Sequence, residues 1–573
     1  MEAPSLLSPR ASWRSALPRW LAAGVVGVAL GCARLALPPV ATVPPPALSL
    51  PLAIPRFADV SAAAGLEGVA LQYANWLDFD QDTRPDLLVN GHRLFHNQTE
   101  AAGACRFVEV TTAAGLARAE RGPALAVDLD NDGWTDLVST RGQLWRNRGD
   151  GTFAEGAAAA GFVPHPKALV LAAGDIDGDG YADLYVTMAE DWNDGNATTY
   201  PHQLWRNDRG HRLVEIGAQA GIDRKTYGRG VLFADVDGDG RQDIFVANYR
   251  LQPNLLWRNC GGGRFEDVAR RFGVAGRKEP ERYYDALTRR HYGPHYGHSI
   301  GACWLDFDND GRLDLFTANL AHKYVGPTRV EAMGYDVRGY LCDDSAIYRR
   351  LDDRFGDWRE RLGVPPRPIG GPGIYQGDEL WAGCTAGDVN NDGWTDVFVP
   401  QIYNLPYARS QLFLNQAGER FEEHAAAAGI VRLDTYAGAL ADVDGDGRLD
   451  LVTAGRPAVG APASLRLYRN TGWDEAAGRR HWLRLRLRPG PERRTLLGTV
   501  VQASLNGVTL TRLVTAGTST YGQQDDPVLH FGLGAWNQPV PLTLRWPDRA
   551  ETTLTVAVDS LVEIQPGPTP AAR

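Results

Sequence analysis

The chain has 573 residues and a formal net charge of −10, long enough for two or more domains. Its 64 glycines break it into short stretches, as expected of an all-β protein rich in turns. There is no concentrated Lys/Arg tract, and the only lysines are Lys167, Lys225, Lys278 and Lys323, which argues against a nucleic-acid partner.

At the N-terminus, Arg10, Arg14 and Arg19 precede an apolar run over 20–31 that is too short to span a bilayer comfortably, so residues 1–31 are expected to be an export signal. ALGC at 29–32 is similar to a bacterial lipobox and makes Cys32 a candidate for lipidation, with an envelope or outer-membrane lipoprotein as one destination and plain secretion as the other. Residues 32–55 are rich in Pro and Leu and read as a semi-rigid tether.

From residue 56 the chain is metrical. A nine-residue pattern rich in carboxylates recurs seven times, beginning at Asp78, Asp128, Asp175, Asp235, Asp306, Asp388 and Asp442, with spacings of 50, 47, 60, 71, 82 and 54 residues. Positions 1, 3, 5 and 9 carry the oxygen donors. In the first three loops these are Asp78, Asp80, Asp82 and Asp86; Asp128, Asp130, Asp132 and Asp136; and Asp175, Asp177, Asp179 and Asp183. The next two present Asp235, Asp237, Asp239 and Asp243, then Asp306, Asp308, Asp310 and Asp314. The last two present Asp388, Asn390, Asp392 and Asp396, then Asp442, Asp444, Asp446 and Asp450.

Alternate oxygen-bearing side chains on a tight loop suit a hard cation seeking about six to eight oxygens, which is calcium. Gly at position 6 allows the sharp turn, and only the first loop departs, with Thr83. The absence of Cys and His from the loops makes zinc or copper a poor fit. An EF-hand would need Glu at position 12 and flanking helices. Position 12 here reads Val89, Ser139, Val186, Val246, Thr317, Val399 and Thr453, and short β-rich runs such as DVFVP follow the loops. Up to seven structural Ca²⁺ are therefore expected, which would carry the net charge from −10 to about +4.

Two strands travel with each loop. One ends in a polar pair, as in QLWRN (143–147 and 203–207) and LLWRN (255–259). The other is a Phe-acid-Val type running into an Ala-Gly turn, as in RFVEVTTAAGL (106–116). Trp145, Trp205 and Trp257 recur at one repeat position and are expected in the core. A unit near 50 residues suits a four-stranded blade that buries its faces only against neighbours. RFADVSAAAGL (56–66) precedes the first loop, and nothing like it follows LRLYRN (465–470). The N-terminal strand is therefore expected to complete the last unit, giving a seven-bladed propeller over 56–472.

The loops, with preceding strands such as GRGVLFADVDGDG (228–240), resemble FG-GAP/VCBS repeats of the integrin α-subunit propeller type. The resemblance implies calcium binding and possible adhesion and supplies no substrate. The fifth repeat departs from it in its closing strand, AIYRRLDDRFGDW (346–358). Residues 479–567, with HFGLG at 530–534 and RWP at 545–547, resemble the ASPIC/UnbV domain that follows such repeats. Read from its residues alone, this region is a small β-sandwich-like domain. HWLRLRLR alternates as a half-buried strand, Asn506-Gly507 predicts a tight hairpin, and a second hairpin turns at Pro547-Asp548.

Insertions near 275–300 and 320–380 interrupt the repeat. The first holds His291, His295 and His298 among tyrosines and reads either as a ligand-binding loop or as a packed surface loop. The five cysteines after Cys32 cannot all pair within one chain; Cys303 and Cys384 either face each other from neighbouring repeats or are buried thiols. No nucleophile elbow, zinc-protease helix or phosphate loop is present. The expectation is a non-catalytic propeller binding a protein or glycan at the cell surface. The alternative is a polysaccharide lyase or hydrolase using the insertions over one propeller face.

Overall fold

The computed structural model describes residues 48–566 apart from 49, 101–102, 194–195, 251, 277–283, 286–289, 292–295, 321–342, 366–378, 407, 491–493, 518–519 and 521. The export signal, Cys32, most of the tether, Cys342 and most of both insertions, with the side chains of His291 and His295, lie outside the described residues. The protein is all-β, with repeated four-stranded antiparallel sheets of the kind that build a repeat propeller.

Seven such sheets come from the repeats. Their first strands are Ala74–Leu77, Ala124–Val127, Ala168–Gly174, Gly228–Ala234, Ser299–Leu305, Thr385–Gly387 and Gly438–Ala441. Each carboxylate-rich loop leads from a first strand into a second strand that begins at the position-9 aspartate, with Leu77 opposite Asp86 and Ala441 opposite Asp450 as typical registers. Third strands such as Leu255–Asn259 end in the polar pair. Fourth strands such as Phe265–Asp267 run into one-turn helices such as Ala269–Phe272. The fifth sheet keeps all four strands despite its divergent sequence, with Ala346–Arg350 pairing with Phe355–Asp357. In the last sheet the fourth strand is Phe57–Asp59, which pairs with Ser464–Asn470 in the register Phe57 opposite Asn470.

Packing follows from the two-residue period of a strand. In Asp243–Asn248, Ile244 and Val246 face an apolar cluster shared with the third sheet, while Phe245 and Ala247 face one shared with the fifth. Both faces are buried, so the strand is apolar throughout. Every neighbouring pair of sheets shares such a cluster, the last with the first included, where Val452 and Leu467 meet Trp76 and Phe95. Each first strand also touches the next, and Gly438–Ala441 touches Ala74–Leu77. Trp145, Trp205 and Trp257 are buried in these layers, as expected. Cys303 and Cys384 are free thiols within one apolar cluster, so the pairing option is not realised.

The C-terminal region forms two further sheets. His481–Leu487 lies between Leu529–Gly534 and, in parallel, Ser560–Ile564. The other sheet orders Val508–Leu513, Val500–Leu505, Val540–Arg545 and Glu551–Val556. Both hairpins form where expected; Asn506 and Gly507 take φ of 47° and 91°, the pair of positive angles that a tight hairpin requires. Leu483, Leu485 and Phe531 of the first sheet share a core with Val501, Leu542 and Leu544 of the second.

Between the strands ending at 513 and beginning at 529, the chain runs against the first strand of every repeat sheet. Asn75 Nδ2 donates to the Gly522 carbonyl at 2.7 Å, Ala126 N–H to Gln524 Oε1 at 3.0 Å, and Ala173 N–H to the Ala516 carbonyl at 3.1 Å. Thr520 bridges Gly230 and donates through Oγ1 to the Ile300 carbonyl, while Thr385 Oγ1 donates to Asp525 and Gly438 N–H to Gln523 Oε1. One segment thus touches all seven first strands.

Candidate metal centres

The seven loops share one hydrogen-bond scaffold. The position-1 carboxylate accepts the N–H of position 6, as in Gly133 to Asp128 (2.9 Å), Gly240 to Asp235 (2.8 Å) and Gly447 to Asp442 (2.8 Å). The position-5 carboxylate accepts the N–H of position 7, as in Trp394 to Asp392 (3.0 Å). Position 6 takes a left-handed backbone throughout, with φ from 80° to 94° at its six glycines and 77° at Thr83.

Position 9 ties the loop to the sheet. Asp183 Oδ2 accepts the N–H of Ile176 and its Oδ1 the N–H of Asn207. Equivalent bonds recur in all seven repeats. The asparagine closing the third strand adds a second tie. Asn207 Nδ2 donates to the Ala182 carbonyl in its own loop and to the Leu129 carbonyl in the loop of the preceding sheet. Asn147, Asn259, Asn415 and Asn470 repeat this clasp, and Asn97 makes it to Val443 of the last repeat. In the fifth repeat Arg350 takes the place of the asparagine.

The scaffold gathers ligand atoms. Oxygens of Asp78, Asp80 and Asp86 lie within 4.8 Å of one another, as do those of Asp128, Asp130 and Asp136, of Asp175, Asp177 and Asp183, and of Asp235, Asp237 and Asp239. Burial sets their protonation. It pushes Asp128 and Asp243 up to about 7, and Asp136 and Asp175 to about 6. Asp392 and Asp446 also rise to about 7, through burial first and neighbouring carboxylates second. Oxygens remain unsatisfied: Oδ1 of Asp130, Asp308 and Asp444, all at position 3, and of Asp128 at position 1 are buried without a hydrogen-bond partner among the described residues. Buried carboxylate oxygens without donors are costly unless a cation meets them. The donor set, all oxygen apart from His96 beside the first loop, fits a hard divalent ion.

Sequence reading missed the cations supplied from outside the loops. The residue before the clasp asparagine reaches back to the acids, as in Arg146 to Asp136 (2.6 Å), Arg258 to Asp237 (2.5 Å), Arg469 to Asp444 (2.5 Å) and His96 to Asp80 (3.1 Å). Burial alone would raise Asp237, but Arg258 draws it below the usual carboxylate value. The C-terminal domain supplies more. Arg484 sits between Asp442 (3.0 Å) and Asp526 (3.2 Å), Arg486 pairs with Asp78, and Arg480 lies 3.4 Å from Asp392. The strand expected to be half-buried is therefore buried on both faces, because its arginines meet loop carboxylates where solvent was anticipated. The repeated Arg-Asn pair was the available signal for the clasp. Nothing local to HWLRLRLR marks what its arginines meet.

The FG-GAP-like repeat family matches residues 128–186, 235–317 and 388–453, and the ASPIC and UnbV family matches 490–571. The chain is an FG-GAP-like repeat protein with a C-terminal ASPIC/UnbV domain. This repeat protein is 27% identical over 362 residues to mouse cartilage acidic protein 1, covering 61% of this chain and 47% of that one. The human protein of that name gives 27% identity and covers 61% and 46%. The Xenopus tropicalis protein gives 26% over 391 residues and covers 65% and 51%. The repeat protein thus spans about half the length of these curated relatives. Among solved structures, a Photorhabdus luminescens Tc holotoxin pore has 16% identity and a TM-score of 0.30, covering 73% of this chain and 15% of that one. The exotype rhamnogalacturonan lyase YesX has 12% identity and a TM-score of 0.27, covering 74% and 76%.

Proposed function

We propose that the repeat protein is an exported, calcium-stabilised and non-catalytic binding propeller, with up to seven structural Ca²⁺ ions holding seven blades in a ring closed by the N-terminal strand. A small β-sandwich-like domain docks on it. The ring reading is supported by the pairing of Phe57–Asp59 with Ser464–Asn470 and by the Asn97 clasp to Val443. The observation carrying the calcium reading is the buried, donorless position-3 oxygen in the second, fifth and seventh loops. An ion that binds the folded loop far better than the unfolded one adds about 2.7 kcal/mol per site at a concentration about 100 times Kd. Several such sites rival the stability of an ordinary domain.

Stripping the metal should lower the melting temperature by many degrees, and calcium, unlike sodium at equal ionic strength, should restore it. At saturating calcium, Asp444→Ala should cost more than Asp80→Ala. The side chain of Asp444 is fully buried, whereas that of Asp80 is 25% exposed in a loop already compromised by Thr83. An unchanged melting curve after chelation refutes the calcium reading. Export through residues 1–31 and anchoring at Cys32 complete the proposal; Cys32→Ser should shift the protein out of the membrane fraction.

A further inference from the structure

A cleft of about 1200 Å³ opens between the third to fifth repeat sheets and the C-terminal domain. We propose that it binds an extended acidic glycan whose charge is carried by carboxylate or sulfate groups. The assignment rests on the binding-propeller reading and gives that reading a site and a ligand class.

Eight arginines line the cleft against six aspartates, in a protein of net charge −10. Arg206 and Arg264 enter from the repeats, Arg350 from the fifth sheet, and Arg494, Arg545 and Arg549 from the C-terminal domain. Arg206 and Arg264 are exposed and make no ion pair among the described residues. Arg241 and Arg312 are committed to Asp239 and Asp310, Arg545 pairs with Glu551 at 3.5 Å, and Arg549 donates to the Asp239 carbonyl.

Arg350 is the most telling of these. The other six repeats place at this position an asparagine that clasps the preceding loop, so the fifth repeat gives up that tie for a guanidinium. The residue is only 9% exposed and rests against the rings of Phe272 and Phe355 at 5.4 and 5.2 Å. Its Nη1 is buried without a hydrogen-bond partner among the described residues. A buried cationic donor without an acceptor is costly, and this one belongs to a residue of the cleft wall.

The cations come from the third, fourth and fifth repeats and from the C-terminal domain, which suits repeated charges on a polymer better than a single phosphate. The cleft exceeds the roughly 300–1,000 Å³ of ordinary small-molecule pockets. Carboxylates stand among the arginines: Asp352 and Asp548, together with the loop residues Asp175, Asp177, Asp235 and Asp237. Acceptors beside guanidinium donors match sugar hydroxyls beside acid groups. Among the described residues the only aromatic in the lining, Trp546, is buried and offers no stacking platform for nucleic-acid bases. The loop acids would repel a polyanion until calcium neutralises them, which ties the cleft to the metal centres.

The test uses the full chain in calcium. Binding of a hyaluronan oligosaccharide, a heparin oligosaccharide, a neutral maltooligosaccharide and polydeoxythymidine is measured by calorimetry. The expected result is that at least one acidic glycan binds, the neutral sugar does not, and polydeoxythymidine binds more weakly. Hyaluronan carries carboxylates alone and heparin carries both groups, so hyaluronan binding shows that carboxylates suffice and binding of heparin alone shows that sulfates or a higher charge density are needed. The triple variant Arg206→Ser, Arg264→Ser, Arg545→Ser, at three exposed positions, should lose at least tenfold in affinity with an unchanged melting temperature. Arg350→Asn should lose affinity too while retaining calcium-dependent melting. Equal affinity of the triple variant, tighter binding of polydeoxythymidine, or no acidic glycan binding overturns the proposal. A preparation that melts higher in calcium yet binds no acidic glycan overturns the cleft assignment alone and leaves the calcium reading standing.

Discussion

Thr83 holds a φ of 77° at a position where the other six loops have glycine. A left-handed backbone costs a residue bearing a Cβ about 1–2 kcal/mol, and branching at Cβ adds to the difficulty. Thr83→Gly should therefore stabilise the protein by about 1 kcal/mol in denaturant melts, after allowing for the greater freedom of glycine in the unfolded chain. A loss of stability would mean that the threonine side chain has an unseen role.

The raised aspartates give a second expectation at this scale. Asp128, Asp175, Asp392 and Asp446 titrate at about 6 to 7 in the fold, against 3.8 ordinarily. The folded, metal-stripped protein thus holds protons that the unfolded chain has released. The stability this contributes is full below about pH 4 and is lost as pH rises through about 7. Metal-stripped protein should melt at progressively lower temperature from pH 4 to 7, with calcium protection growing over the same window. Calcium binding near pH 6.5 should release protons, measurable by titration in buffers of different ionisation enthalpy. A flat or rising melting profile for the stripped protein across that window would contradict the assignment.

Among the elements, His481–Leu487 is one that joins the two parts of the molecule. Its leucines fill the C-terminal core while Arg484 and Arg486 reach the seventh and first loops. Removing one partner of a buried ion pair strands the other, typically at about 3–5 kcal/mol. Arg484→Ala should cost that much in calcium-free melts. A change below about 1 kcal/mol would show the pair to be dispensable. How much of this element was legible follows from its chemistry. Alternation of Leu and Arg identified a strand, and the loops announced themselves by spacing, because both signals are local. What the arginines face depends on a partner about forty residues upstream for Asp442 and about four hundred for Asp78, and no local pattern encodes that. The clasp asparagines were visible as a recurring letter, but their second acceptor is a carbonyl one sheet away. The segment between 513 and 529 has no hydrophobic period at all, since its ties run through backbone and amide groups to strands from every repeat. The insertion histidines were the weakest reading: of their side chains only that of His298 is described, buried with its ring 4.8 Å from that of Tyr249.

For the whole molecule, the shared core of Leu125, Leu171, Leu483 and Leu542 predicts that repeats and C-terminal domain unfold together. Calorimetry in calcium should show one transition, with equal calorimetric and van 't Hoff enthalpies. Two resolved transitions would mean that the domains are energetically separate. The pairing of Phe57 with Asn470 carries a last consequence, one of time. The strand that finishes the final sheet is made first, and its partner emerges only after more than four hundred further residues. Closing so long a loop costs little more free energy than closing a shorter one, but contacts distant in sequence slow the search for the native state. Through all of synthesis the first sheet lacks the neighbour that covers Trp76, and the finished sequence must find its two ends before it has a stable fold. Slow refolding from denaturant, accelerated when the strand 57–59 is instead fused after residue 470, is the signature this order of events should leave.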